Sequence, residues 1–341
     1  MQRVPLSWTK PSPTMPEARH TYAAWNEDLS EIKGCSSGGA AYLMSRFLIE
    51  RHGVVYASAF GEDRTVSVHR INTIPALEPT KGSKYVRGSF SGETFDLLKA
   101  DLEDGREVLF IGTPCQVAGL KKRLGDGIEH LTTIDLLCHG TPQAQYLREE
   151  VRHLIGDRPY TDVRFRGGRT GDFHLSIWNQ EQCLYSVEAR KQPYVLGMLI
   201  GVTLMEGCYN CPFATPDRTG DLTLGDYIGL GKEDGFCAPQ GHKVSYISIN
   251  TPRGEFFYSA FLQQNPQFRS VERPAMERQS YRPSLLEPTA RHPLRTRFLE
   301  LLPRLGFARA IRRTLRGEIL QRTPLYRTLH HWAHRLKKVY R

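Results

Sequence analysis

Two short apolar runs constrain this chain more than any other feature. Val108-Leu109-Phe110-Ile111 runs directly into Gly112-Thr113-Pro114-Cys115-Gln116, and Leu131–Leu137 runs into Cys138-His139-Gly140-Thr141-Pro142. A continuous apolar run of this length reads as a strand buried on both faces, the kind found in parallel sheets. A helical pattern follows each one, over Gln116–Arg123 and Gln143–Ile155. Strand, tight turn and helix in repetition predict an α/β fold. Open α/β sheets gather ligands beyond the carboxyl ends of their strands, where Cys115 and Cys138 both fall. Two unrelated core thiols are the duller reading, and the shared position weighs against it.

A second thiol pair stands in Gly207-Cys208-Tyr209-Asn210-Cys211-Pro212. Two thiols three positions apart can reach one metal ion or cluster, and the proline keeps the second out of a helix. One such pair is half a site, because a tetrahedral metal or a cubane cluster takes four protein ligands. Cys115 and Cys138 are the candidates for the other half. Structural zinc sites are commonly built from two local pairs, so one pair with two distant singles leans toward an iron–sulfur cluster beside a second cofactor. Both metals stay open on spacing alone. Seven cysteines at irregular intervals argue against a disulfide framework.

The remaining chain is consistent with a soluble globular protein of 341 residues, 40% hydrophobic and 24% charged. Residues 1–17 are Pro-rich and read as an extended lead-in. A strand over Thr21–Trp25 precedes Gly34-Cys35-Ser36-Ser37-Gly38-Gly39, a small-residue loop opening an amphipathic helix through Ala40, Leu43, Met44, Phe47 and Leu48. A helix start offers unpaired N–H groups to an anion, although an ordinary N-cap is the plainer reading. Strands follow at Val54–Phe60 and Val66–Ile71, then the loop Gly82-Ser83-Lys84-Tyr85-Val86 and a helix over 92–103. Alternation over 163–168 and 174–178 suggests antiparallel strands, Tyr194–Leu204 a buried helix, Val244–Ile249 a strand and Gly254–Gln263 a helix. We expect a mixed sheet with flanking helices, α+β insertions and a basic helical tail. The main region spans 18–282, with parts meeting near 155, and the tail runs from 283 to 341.

No apolar stretch approaches the ~20 residues of a membrane span, and no signal peptide is evident, so a cytoplasmic location is expected. The net charge of +10 is unevenly spread: from Arg291 onward, twelve Arg and two Lys against two Glu give +12, leaving −2 for the rest. The tail, expected as short helices broken at Pro288, Pro293, Pro303 and Pro324, reads as a solvated appendage packing on the body. Contact with an anionic inner membrane face or a partner protein are the other readings. No groove-reading motif is present, so no specific nucleic acid is expected.

The chain resembles the coenzyme F420 hydrogenase/dehydrogenase beta-subunit family. The matching stretches are Cys35–Gly39, Gly82–Val86, Val108–Lys121, Asp135–Pro142, Phe165-Arg166, Cys208–Cys211 and Asp221–Tyr227, in order over about residues 18–265. The resemblance implies an FAD-binding α/β domain with one [4Fe–4S] cluster near the flavin ring. Carried over by position, Cys115, Cys138, Cys208 and Cys211 become cluster ligands. Ser36, Ser37, Gly38, Gly39, Lys84, Tyr85, Gly112, Thr113, Gln116, Gly140 and Asp226 become flavin contacts, and His139 the candidate for proton transfer. The N-terminal ferredoxin module of many relatives is missing, so electrons would come from a ferredoxin-like partner or a soluble hydride carrier. The substrate would be a small molecule or a glycan-linked one.

Several positions depart from the family pattern: Cys35 for Ser, Met205 for Arg, Gly167-Gly168 for Asp-Lys, and Ile228 for Trp. They put deazaflavin use in doubt. His139 has a structural reading as strong as the catalytic one, and Asp221 and Asp226 can be turn formers. Arg164 and Arg166 are either anion ligands or surface charges, and Cys183 and Cys237 read as ordinary thiols. The expected function is a flavin- and [4Fe–4S]-dependent oxidoreductase. The rival is a non-catalytic protein of envelope polysaccharide biosynthesis, its thiols holding zinc or nothing.

Overall fold

A computed structural model describes residues 20–125, 127–166, 173–227, 243–273 and 287–321 of the chain. The lead-in 1–17, Gly167-Gly168, Ile228, Cys237, Pro324 and the tail beyond 321 lie outside the described residues. Two compact units form, one from Met1–His139 and Asn210–Thr289, the other from Gly140–Tyr209 and Ala290–Arg341.

The first unit is an α/β structure on a mixed sheet. Its strands are β1 (Thr21–Asn26), β2 (Val54–Phe60), β3 (Val66–Ile71), β4 (Val108–Gly112), β5 (Leu131–Leu136), β9 (Leu222–Asp226), β10 (Ser245–Ile249) and β11 (Phe268–Arg273). Among the described residues they lie in the order β11-β1-β10-β9-β5-β4-β2-β3. The neighbours β2, β4, β5 and β9 are parallel, as the continuous apolar runs predict.

Alternation along these strands feeds two cores. Val55, Ala57, Leu109 and Ile111 face one side, with α1 (Ala40–Ile49) and α7 (Pro252–Gln264) packed there. Phe47 of α1 meets Phe257 and Phe261 of α7 edge-on. Val54, Tyr56, Val108 and Phe110 face the other side, toward α3 (Gly92–Glu103) and α4 (Pro114–Leu124). A one-turn helix, α2 (Ile74–Leu77), completes this unit's helices among the described residues.

Three features of this unit differ from the sequence expectation. Helix α4 begins at Pro114 rather than Gln116, so Cys115 stands in its first turn. A capping box sets that start, with Thr113 as N-cap and Gln116 reaching back to the Thr113 backbone N–H at 2.9 Å. β9 has no sequence signature, because Leu-Thr-Leu between Gly-Asp pairs is too short to show a period. Its central place comes from pairing with β5 and β10 on its two sides. β11 is a polar edge strand that pairs with β1 among the described residues.

The second unit holds a three-stranded antiparallel sheet, β6 (Asp162–Arg164), β7 (His174–Asn179) and β8 (Gln182–Glu188). Its helices are α5 (Ala144–Ile155), α6 (Pro193–Leu199), α8 (Leu294–Thr314) and α9 (Arg316–Gln321). Helix α6 stops five residues short of the expected Leu204. Gly201 takes a left-handed conformation (φ 75°), and the N–H groups of Val202 and Thr203 turn back to the Gly197 carbonyl.

Within the described residues the tail helix packs into the second unit. Phe298 and Phe307 of α8 are fully buried, and Phe307 stacks on Tyr146 of α5 with ring centroids 4.6 Å apart. The helix carries Pro303 and breaks instead at Gly306 (φ 67°). There Glu149 accepts from the Phe307 N–H at 2.6 Å and caps the restart.

Candidate functional site

In the first unit β1, β2, β4, β5 and β9 all point the same way, because β1 and β9 are each antiparallel to β10. Their carboxyl ends therefore share one edge of the sheet. Gly112 of β4 is register-paired with Asp135 of β5. Cys115 and Cys138 each follow by three residues, so the two thiols leave neighbouring strands at equivalent points. Asp226, at the end of β9, is paired with Ser245, and Ser245 bonds to Ser37 at 2.9 Å. Cys115, Cys138, Asp226 and the Ser36–Gly39 loop thus belong to the same edge.

Asp135 organises this edge. Fully buried, its carboxylate accepts from Arg218 Nη2 (2.9 Å), from Thr219 N and Oγ1 (2.9 Å each) and from Gly220 N (2.9 Å). Arg218, equally buried, also donates to the carbonyls of Phe213 and Thr215. Thr219 Oγ1 further reaches the Pro114 carbonyl at 3.2 Å, beside Cys115. One buried ion pair thereby ties the loop after Cys211 to the turns carrying Cys115 and Cys138. A charge pair so deep in a sheet is stable only with its hydrogen bonds complete, and here they are.

Sequence patterns alone give Asp135 and Arg218 no role. The available signal is a carboxylate inside a strand that carries no other charge.

The thiols are accessible. Cys115 is exposed, with its sulfur 3.2 Å from Thr113 Oγ1, while Cys138 and Cys211 are half-buried. Among the described residues no three His, Cys, Asp or Glu side chains stand close enough to hold a metal ion. The first unit thus gathers Cys115, Cys138 and Cys211 on one edge without closing a coordination shell. Cys208 belongs to the second unit, in the 3-10 turn Glu206–Asn210. Its N–H donates to the Met205 carbonyl. Gly140 (φ 105°) lies in the same unit, where an added Cβ would come within 2.8 Å of Leu204 and 3.1 Å of the Cys208 Cβ. Any side chain at 140 would press on the cysteine. In chemistry and exposure the three thiols of the first unit suit a thiolate-bound metal or cluster.

The flavin candidates divide. Ser36 bonds to Ser83 at 2.8 Å, and Gln116 Nε2 donates to the Gly88 carbonyl at 3.4 Å, so three loops distant in sequence meet. Gly39 is the N-cap of α1 and supplies no side-chain acceptor, which leaves that helix start fit for an anion. The glycines themselves serve the chain's own packing. A Cβ on Gly38 would stand 2.3 Å from the Ala24 carbonyl oxygen, and one on Gly39 2.2 Å from Ile32.

Thr113 and Gln116 satisfy each other as the cap of α4. A Cβ at Gly112 would strike Phe110 at 2.8 Å. Lys84 donates to the carbonyls of Pro79, Lys81 and Gly82, so its charge closes its own loop. Tyr85 is half-buried beside it. Burial pushes the Cys35 thiol up to about 11, which keeps it protonated and unreactive.

His139 is exposed and its ring nitrogen lies 3.2 Å from Thr289 Oγ1, which also donates to the His139 carbonyl. In the second unit Arg164 is paired with Asp162 at 2.5 Å and lies over Trp178, while Arg166 lies over Phe173. Glu206, beside Cys208, receives both Arg291 and Arg295, whose hydrogen bonds hold its carboxyl below the usual range. Asp221 bonds to the Thr133 N–H and Thr251 hydroxyl, which gives it a structural place.

Residues 105–268 match the family model for the C terminus of the beta subunit of coenzyme F420 hydrogenase/dehydrogenase. Over these residues, just under half of the chain, it is similar to that family. The family's description is that of redox enzymes. Among solved structures the chain is similar to one from the F420-reducing [NiFe] hydrogenase complex of Methanosarcina barkeri, at 16% identity and a TM-score of 0.51. That match covers 87% of this chain and 91% of the other, and at this identity it speaks for the fold. No curated protein sequence matches. Among the described residues no helix is long and apolar enough to cross a membrane.

Proposed function

We propose that this chain is a flavin- and iron–sulfur-dependent oxidoreductase passing electrons between a partner or soluble hydride carrier and a substrate. The observation that carries the reading is the paired placement of Cys115 and Cys138 beyond register-matched residues of β4 and β5, with the Cys211 loop clamped to the same Asp135. A protein needing only a structural zinc has no use for the Ser36–Ser83 and Gln116–Gly88 links that draw two further loops to the Cys115 turn.

Cys115, Cys138, Cys208 and Cys211 would hold the cluster. The α1 start at Gly39, with Ser36, Ser37 and Gly38, would face the flavin's diphosphate, and Tyr85, Gly112, Gly140 and Asp226 would border the flavin. A flavin next to such a cluster joins two-electron hydride chemistry to single-electron transfer. His139, exposed beside Cys138, offers a ring nitrogen that can take or give a proton to a bound substrate. The buried Asp135–Arg218 pair keeps the thiol-bearing turns in place. The substrate is a small molecule or a glycan-linked one.

Protein purified without oxygen tests this by iron, sulfide, zinc and flavin assay. About four irons per chain together with flavin is the expected result, and Cys208→Ala should lose most of the iron. One zinc per chain without flavin would replace the redox reading with the structural one.

A further inference from the structure

We propose that the outward face formed by the second half of α8 and the start of α9, with Arg309, Arg313 and Arg316, docks on an anionic phospholipid surface. The inner face of this half is spent within the second unit, where Phe307, Ala310, Ile311 and Thr314 are buried. The three arginines recur at i, i+4 and i+7, so they share the opposite face, and all three are exposed. Among the described residues none of the three has a carboxylate partner. Arg312, the fourth in the run, is neutralised by Glu150 at 2.7 and 2.8 Å. Like charges four apart on a helix repel, so a chain that keeps them uncompensated is arranged for an external anion.

Helix α5 packs against this half through Tyr146 and Glu149 and adds exposed Arg148 and Arg152. Arg152 has Asp157 3.9 Å away, with both side chains in solvent. Of the acidic residues of the tail, Glu300 lies in the first half of α8, and Glu318 follows Arg316 by two positions in α9, a spacing at which helical side chains do not face each other.

A lipid surface is favoured over an acidic protein or nucleic acid by what surrounds the strip. Leu320, four residues past Arg316 in α9, is an exposed large apolar side chain, as is Leu299 in the first half of α8. The sequence after 321 mixes six Arg and Lys with Tyr326, Trp332 and Tyr340 and contains no acid. Basic residues interleaved with aromatics are the composition of segments that settle at the headgroup level. The rest of the chain, at −2, adds no long-range attraction of its own.

The test is co-sedimentation of the full chain with phosphatidylcholine vesicles, with and without phosphatidylglycerol, at low and high salt. Binding should require the anionic lipid and fall as salt rises. Surface arginines contribute about a fivefold factor in binding each, so Arg309→Gln/Arg313→Gln/Arg316→Gln should weaken it on the order of a hundredfold. The three sites are exposed, and an unchanged circular dichroism melt would show that the variant is folded. Absence of binding to anionic vesicles at low salt would overturn the proposal, as would undiminished binding of the triple variant. Retention on heparin without vesicle binding would also overturn it, in favour of an acidic macromolecule.

Discussion

At the carboxyl edge of the eight-stranded sheet, donors from Arg218, Thr219 and Gly220 converge on the carboxylate of Asp135. In the second unit the tail helix is seated by rings, with Tyr146, Tyr194, Phe298 and Phe307 in mutual contact. In each unit a fully buried carboxylate is paired with an arginine. In the second, Glu150 accepts from Arg312 and from Gln192, yet apolar area dominates around it. The contrast separates two uses of a core. Aromatic packing is non-directional and holds elements together over a range of small shifts. A saturated carboxylate is directional, and it fixes the 218–220 loop, and through Thr219 the turn at Pro114, to within hydrogen-bond tolerance. Loops that must present ligands need the second kind of support.

The comparison breaks hardest at Asp135. Asp135→Ala strands the Arg218 charge in a buried position, which should cost about 3–5 kcal/mol in denaturant unfolding. If the proposed cluster is present, iron should be lost along with it. An effect below ~1 kcal/mol would mean that the loops are held by packing instead.

Phe307→Ala probes the other kind of core and should cost about 3 kcal/mol, the low end for a buried aromatic. The helix restarts at this residue after Gly306, so the chain has room to settle into part of the cavity. Urea melts of the two variants would rank them.

The smallest effect is acid sensitivity in the first unit. Burial raises the Asp101 carboxyl, but hydrogen bonds from Arg70 and Tyr56 outweigh it and hold the group below its ordinary value. A depressed carboxyl contributes stability above its unfolded pKa and loses it as pH falls through the folded one. Melting temperature should therefore drop below about pH 4, and Asp101→Asn should flatten that part of the profile.

Much of the edge was legible in the chain. The strands at Val54–Phe60 and Val66–Ile71, the helix over 92–103, and the places of Cys115 and Cys138 past parallel strands were readable from apolar runs and turn residues. Such signals are local and repeat within a few residues. The strands β9 and β11 were not readable, because neither carries a period long enough to detect. The backbone partners of Lys84, the Thr113–Gln116 cap and the packing use of Gly38 and Gly39 were also hidden. A lysine or glycine in a small-residue loop looks the same whether it faces a ligand or its own backbone.

By itself, then, the sequence determined the α/β class, the strand ends on which the thiols stand, and a tail whose +12 charge is set apart from a nearly neutral body. These follow from periodicity, turn chemistry and counting, which need no knowledge of distant contacts. Only the tertiary structure decided that Asp135 would be the buried anchor for Arg218, Thr219 and Gly220, far along the chain. It also decided that the tail helix would be half core, with Phe298 and Phe307 inside and Arg309, Arg313 and Arg316 outside. The physical reason is common to both. A buried charge or a split helix face is stable only through partners that the fold brings from far along the chain, and no local pattern records them.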